Sequence, residues 1–152
     1  MKYNIYYCLV LALSAVFVAP VFAESIVVVG HPTVSIKEIS SADLKRLFLA
    51  KSEEVQGVKL KPVVQSTLQP IRVVFDEDAL GKDPSKSKAY WSRLIFSAAG
   101  IPPRTFESTL EVLQWISANP DAIGYIESSA ANKTVKILRK LEIDSFVQPK
   151  SQ

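Results

Sequence analysis

A strand-like run, Leu60-Lys61-Pro62-Val63-Val64-Gln65, passes through Ser66, Thr67 and Gln69 into Pro70 and a helix-forming stretch. Chemistry is best supported at this junction. A strand that turns straight into a helix presents backbone amides and the positive end of the helix dipole beyond the strand's carboxyl edge. Ser66 and Thr67 add hydroxyls there, Gln65 adds a carboxamide, and Arg72 adds a planar fork of donors matched to a phosphate or carboxylate. His31 is the single histidine; it closes the first strand, and in a parallel sheet it would stand at the same edge, where open α/β sheets take their ligands. Gln65, Ser66, Thr67, Arg72 and His31 are therefore the candidate binding residues for a small oxyanion. Plainer readings stand beside this one. The junction also reads as an ordinary capped helix start, Arg72 could pair with Asp76 one turn along, and a histidine before proline suits a turn.

Other chemistry is thinly supported. No serine lies in a G-x-S-x-G or S-x-x-K context with a credible base, so nucleophilic hydrolysis has little support, and the chain reads as a non-enzyme. Asp76-Glu77-Asp78 followed by Gly81 superficially matches a calcium loop, but Leu80 holds a ligand position and Ser87 stands where the bidentate glutamate belongs. The single cysteine, Cys8, lies in the leading apolar segment, which leaves the remainder without a disulfide, a thiolate metal site or a cysteine nucleophile. No cofactor is implied. Asn132-Lys133-Thr134 is a glycosylation sequon, meaningful only in a eukaryotic cell. A formal charge of +3 from 18 basic and 15 acidic residues, scattered without an arginine-rich stripe, argues against a nucleic-acid partner.

The 152 residues, 48% hydrophobic and 22% charged, suffice for one domain with a real core. Residues 1–23 open with Lys2, continue through an apolar run and close on Val21-Phe22-Ala23, the pattern of a secretory signal peptide cleaved before Glu24. An uncleaved membrane anchor is the alternative, and it is disfavoured because about 20 apolar residues are normally needed to span a bilayer. The expected organisation is a signal peptide at 1–23, an α/β domain at 24–146 with no membrane span after cleavage, and a polar tail at 147–152.

Within that domain, Ile26-Val27-Val28-Val29 reads as a strand buried on both faces. Ser40 or Ser41 caps a helix carrying Leu44, Leu47 and Phe48 and ending near Ala50-Lys51, and Gln56-Gly57 is a turn. After the 60–65 strand, a helix starts at Pro70 and stops at Gly81. Asp83-Pro84 starts the next, with Trp91, Leu94, Ile95 and Ala98 as its buried stripe. Pro102-Pro103 breaks the chain before a helix capped by Ser108, with Leu110, Leu113 and Ile116 inward. Strands at 122–126 and 134–141 complete the order β-α-β-α-α-α-β-β, in which helical crossovers require a mainly parallel sheet flanked by helices.

Several segments in this order resemble the short phosphate ABC transporter substrate-binding-like proteins, relatives of the periplasmic phosphate-binding proteins. They are Val28-Val29 with a following proline; residues 41–51, ending Leu47-Phe48-Leu49-Ala50-Lys51; residues 60–64; Arg72 with Phe75; Leu80-Gly81-Lys82; and Tyr90-Trp91. The last is Asn119-Pro120-Asp121-Ala122-Ile123-Gly124-Tyr125-Ile126. The resemblance implies a periplasmic-binding-protein type II α/β architecture, here of a single lobe, in the bacterial periplasm. It implies an oxyanion such as phosphate as ligand, bound for transport or sensing. The alternative is an interaction protein whose half-clamshell face binds a receptor, a porin or another copy of itself. The large phosphate binders carry an arginine ahead of a Ser-Gly-Thr helix start, where this chain has Gln65-Ser66-Thr67 and places Arg72 further on. The usual glycine of the Phe-Leu-Gly-Lys segment is Ala50.

Overall fold

The computed structural model describes residues 25–143. The expected signal peptide at 1–23, the tail at 147–152 and the extreme ends of the 24–146 domain lie outside the described residues.

The first strand, β1 (Ile26–Gly30), is buried along its whole length. Its alternation divides two cores: Ile26 and Val28 face one hydrophobic cluster, Val27 and Val29 the other. Helix α1 (Ser41–Phe48) is capped by Ser40, whose Oγ accepts from the Asp43 amide at 3.1 Å, and it buries Leu44, Leu47 and Phe48 as the spacing requires. The Gln56-Gly57 turn closes a short hairpin, β2 (Glu54–Val55) with β3 (Val58–Lys59). Both turn residues have positive φ, 52° and 79°, as a two-residue hairpin of this hand demands. Strand β4 (Lys61–Gln65) follows and leads into α2 (Pro70–Asp78), which starts on Pro70 as expected and is succeeded by Gly81 at φ 66°. Helix α3 (Pro84–Phe96) is capped by Asp83, which accepts from the Lys86 amide at 2.9 Å. A three-residue strand, β5 (Arg104–Phe106), comes after Pro102-Pro103. Then come α4 (Thr109–Ala118), β6 (Ala122–Glu127) and β7 (Lys136–Leu141). The expected order is thus kept, with a hairpin and one edge strand added.

Among the described residues the main sheet has five strands in the order β5-β4-β6-β1-β7. β4 pairs in parallel with β5 and β6, while β1 lies antiparallel to both β6 and β7. Four strands therefore point the same way and β1 points against them. Helices cover both faces: α1 and α2 pack with the cluster holding Val28 and Tyr125, and α4 packs with the one holding Val27 and Val63. At Gly124 a side chain would meet Val63 Cγ2 at 2.9 Å and Ile116 Cδ1 at 3.1 Å, so this glycine lets β6, β4 and α4 close on one another.

Two helix faces differ from expectation. On α3 Trp91 and Leu94 are only half-buried, Ile95 and Ala98 are exposed, and Ser87 is the buried residue. The apolar stripe is real in sequence, but α3 lies at the rim of the helical layer and turns a polar residue inward toward α2. On α4 Val112 joins Leu113 and Ile116 inside, while Leu110 is 63% exposed. No helix among the described residues is long and apolar enough to cross a membrane.

Candidate functional site

The carboxyl ends of β4, β5 and β6 form one edge of the sheet, because these strands are parallel and Gln65 lies opposite Phe106. Two helix starts converge there: α2 after β4 and α4 after β5. Gln65, at 1% exposure, organises the edge. Its amide donates to the Tyr125 hydroxyl at 3.2 Å, and its Nε2 donates to Thr109 Oγ1 at 3.1 Å. Thr109 in turn donates to Glu127 Oε2, tying α4 to the end of β6. Tyr125 stacks on Phe75 with ring centroids 3.8 Å apart, and burial pushes its phenol well above the ordinary tyrosine value.

Arg72 occupies the centre of this region but is not free to hold a ligand. Its Nε lies 3.0 Å from both carboxylate oxygens of Asp76, and its Nη1 donates to the Gln65 carbonyl at 2.9 Å. Ser87, from α3, donates to Asp76 Oδ2 at 2.8 Å. The arginine is 8% and the aspartate 4% exposed. A buried guanidinium needs such a partner, since an uncompensated charge there is costly. The plainer reading of Arg72, support of Asp76 one turn along, describes its place in the structure.

The loop ahead of α2 also uses much of its own hydrogen-bonding capacity. The Leu68 amide donates to Ser66 Oγ at 3.4 Å, the Gln69 amide to the Ser66 carbonyl at 2.9 Å, and the Arg72 amide to the Gln69 carbonyl at 3.0 Å. Pro70 has no amide hydrogen. Ser66 is largely buried, whereas Thr67 is exposed. Gln69 reaches across to the Glu107 carbonyl at 2.7 Å and so links the two helix-start loops. Leu68 at 85% exposure projects from the first of those loops, and Leu110 at 63% from the first turn of α4.

His31 is not part of this cluster. The sequence places it at the carboxyl end of β1, but β1 runs against its neighbours, so that end lies at the opposite edge. Gly30 and Pro62 both pair with Ile123, which puts His31 beside the start of β4. Its Nδ1 accepts from the Thr33 amide at 3.2 Å and lies 2.7 Å from Thr33 Oγ1, a closed local turn. Gln65, Ser66, Thr67 and Arg72 do come together. Sequence reasoning missed Thr109, Glu127 and Tyr125, whose signal was available: Ser108-Thr109 opens the helix after β5, and Tyr125 and Glu127 end a strand parallel to β4.

No family model and no curated protein sequence matches the chain. Solved structures do. A protein assigned as a phosphate ABC transporter substrate-binding protein from Clostridium perfringens, with bound phosphate, superposes with a TM-score of 0.62 at 15% identity, over 76% of this chain and 44% of that one. An ABC-type phosphate transport receptor from Vibrio cholerae gives 0.60 at 14% identity, over 76% and 46%. PstS from Borrelia burgdorferi gives 0.58 at 15% identity, again over 76% and 46%. This chain thus has the fold found in phosphate ABC transporter substrate-binding proteins, and it spans less than half of their length.

Proposed function

We propose that the protein is a non-enzymatic, solute-binding-like module, exported to the periplasm by its cleaved leader, which takes a small oxyanion such as phosphate at the carboxyl edge of β4 and β6. The observation that carries this reading is the convergence of the α2 and α4 starts on the Gln65-Thr109-Glu127 chain of hydrogen bonds. Likeness to three phosphate receptors in fold supports it. With Arg72 neutralised by Asp76, the ligand is held by hydroxyls and amides around Ser66 and Thr67. Such neutral contacts are individually modest, which makes the expected affinity weaker than that of a site built on a free guanidinium.

Calorimetry of the mature protein with phosphate and sulfate tests this. Saturable heat with phosphate is expected, and Ser66→Ala/Thr67→Val weakens it about two- to tenfold while the protein stays folded. Absence of binding at millimolar phosphate, or equal binding by the double variant, overturns the site.

A second reading rests on Leu68, in the loop before α2, and Leu110, in the first turn of α4, whose side chains stand exposed at the same edge. In that reading the edge docks a receptor, a porin or another copy of the chain. A doubled solution mass that Leu68→Asp returns to the monomer, with no anion heat, would establish the self-association form.

A further inference from the structure

We infer that the protein has a second binding site at the opposite edge of the sheet, a groove that takes a small amphipathic carboxylate, an acyl chain with one anionic head. The groove, about 1260 Å³, runs past the start of β4 between the ends of α1 and α3 and reaches Trp115 on α4. Its apolar surface includes Leu60, Ile95, Ile101 and Pro103, with Ile95 56% and Ile101 87% exposed. Ligand sites are commonly concave, mostly apolar and marked by a few placed polar groups.

The polar anchor of the groove points to an anionic, apolar-bodied occupant. It is Arg104. Its guanidinium lies 4.1 Å from the Trp115 ring centroid and 5.1 Å from that of Phe106. Among the described residues no carboxylate lies within ion-pair distance of it. The two rings hold the guanidinium by cation–π attraction, which leaves its N–H donors for a carboxylate. Lys59, Lys61 and Arg104 face Glu53 and Asp121 around the groove, and Lys61 and Asp121 neutralise each other at 2.6 Å, which leaves the rim one positive charge in excess.

The apolar wall is built from two helix terminations. Ala50 and Ala98 hold the left-handed conformation, φ 52° and 51°, as the residues after the C-caps of α1 and α3, where the Lys51 amide donates to the Arg46 carbonyl and the Ala99 amide to the Leu94 carbonyl. Both line the groove, and the helix ends meet at Gly100, where a side chain would come within 2.9 Å of Leu94 Cδ2 and 3.5 Å of Ala50 Cβ.

The test reads Trp115 emission in a Trp91→Phe background, titrated with sodium decanoate below its micellar concentration. A saturable change is expected, with decanol at least tenfold weaker. Arg104→Gln should weaken decanoate about ten- to a hundredfold, the loss of a charge-assisted contact. Ile101→Asp, at an exposed position, should abolish the signal while leaving phosphate calorimetry untouched, so this site and the carboxyl-edge site fail or stand separately. The inference is overturned by no saturable change with decanoate, by equal binding of decanol, or by undiminished binding in folded Arg104→Gln. A dimer that Ile101→Asp dissociates would overturn it too, by making the groove a self-interface.

Discussion

Arg72 and Arg104 lie on either side of the same parallel pair of strands, and the fold treats them in opposite ways. Arg72 follows the end of β4, is 8% exposed, and is held by Asp76 and the Gln65 carbonyl. Arg104 starts β5, is exposed, and rests on aromatic rings without a carboxylate. The sequence context singled out Arg72, which follows a strand-to-helix junction, and gave Arg104, after a pair of prolines, no role. Burial decides between them. A guanidinium that loses its water must be paired within the protein and then serves the fold, whereas one stacked at the surface keeps its donors for something else.

The comparison can be broken most sharply at Asp76. Asp76→Ala strands a buried guanidinium and should lower unfolding free energy by about 3–5 kcal/mol in denaturant titration. Arg72→Met/Asp76→Leu, which removes both charges, should cost clearly less than the single change. Equal losses would mean that packing and not charge holds this region. A smaller effect comes from pH. The Tyr125 phenol is raised by burial, so the folded state keeps its proton when the unfolded chain gives it up. Its contribution is complete below the ordinary tyrosine value of about 10 and declines as pH rises beyond it. Stability measured from neutral to alkaline pH should therefore fall above that value, and more shallowly in Tyr125→Phe. The smallest effect is expected at Arg104. Arg104→Ala should change stability by less than about 1 kcal/mol, the worth of an exposed cation–π contact. A loss as large as that at Asp76 would make Arg104 a structural residue.

What was legible in the sequence was local. Ser40, Asp83 and Ser108 cap the helices they were expected to cap, Pro70 opens α2, and Gly81 follows it with positive φ. These signals act within a few residues and need no tertiary information. Strand direction is different. Nothing within Ile26-Val27-Val28-Val29 says which way it runs relative to strands formed much later, so His31 was placed at the wrong edge. Trp91 shows the same limit. A helical stripe marks an apolar face, but whether a layer covers it depends on where the helix ends up, and α3 lies at the rim with Ile95 and Phe96 in solvent. The carboxyl-edge cluster was legible as a position and not as a charge state, because Asp76 was visible at i+4 while Ser87 and Gln65, which complete the surroundings of the ion pair, arrive from α3 and β4.

The placement of β1 also governs how the molecule can be assembled. It is the first strand of the described chain to leave the ribosome, yet its hydrogen-bonding partners, β6 and β7, are synthesised about 100 residues later. Until they arrive, a five-residue strand with four β-branched residues and both edges open has no native partner. Contacts so distant in sequence make folding slow, and they postpone completion of the sheet until nearly the whole domain is available. Until the last strands arrive, the open edges of the first are free to pair with other chains, so aggregation is most to be expected before synthesis is complete.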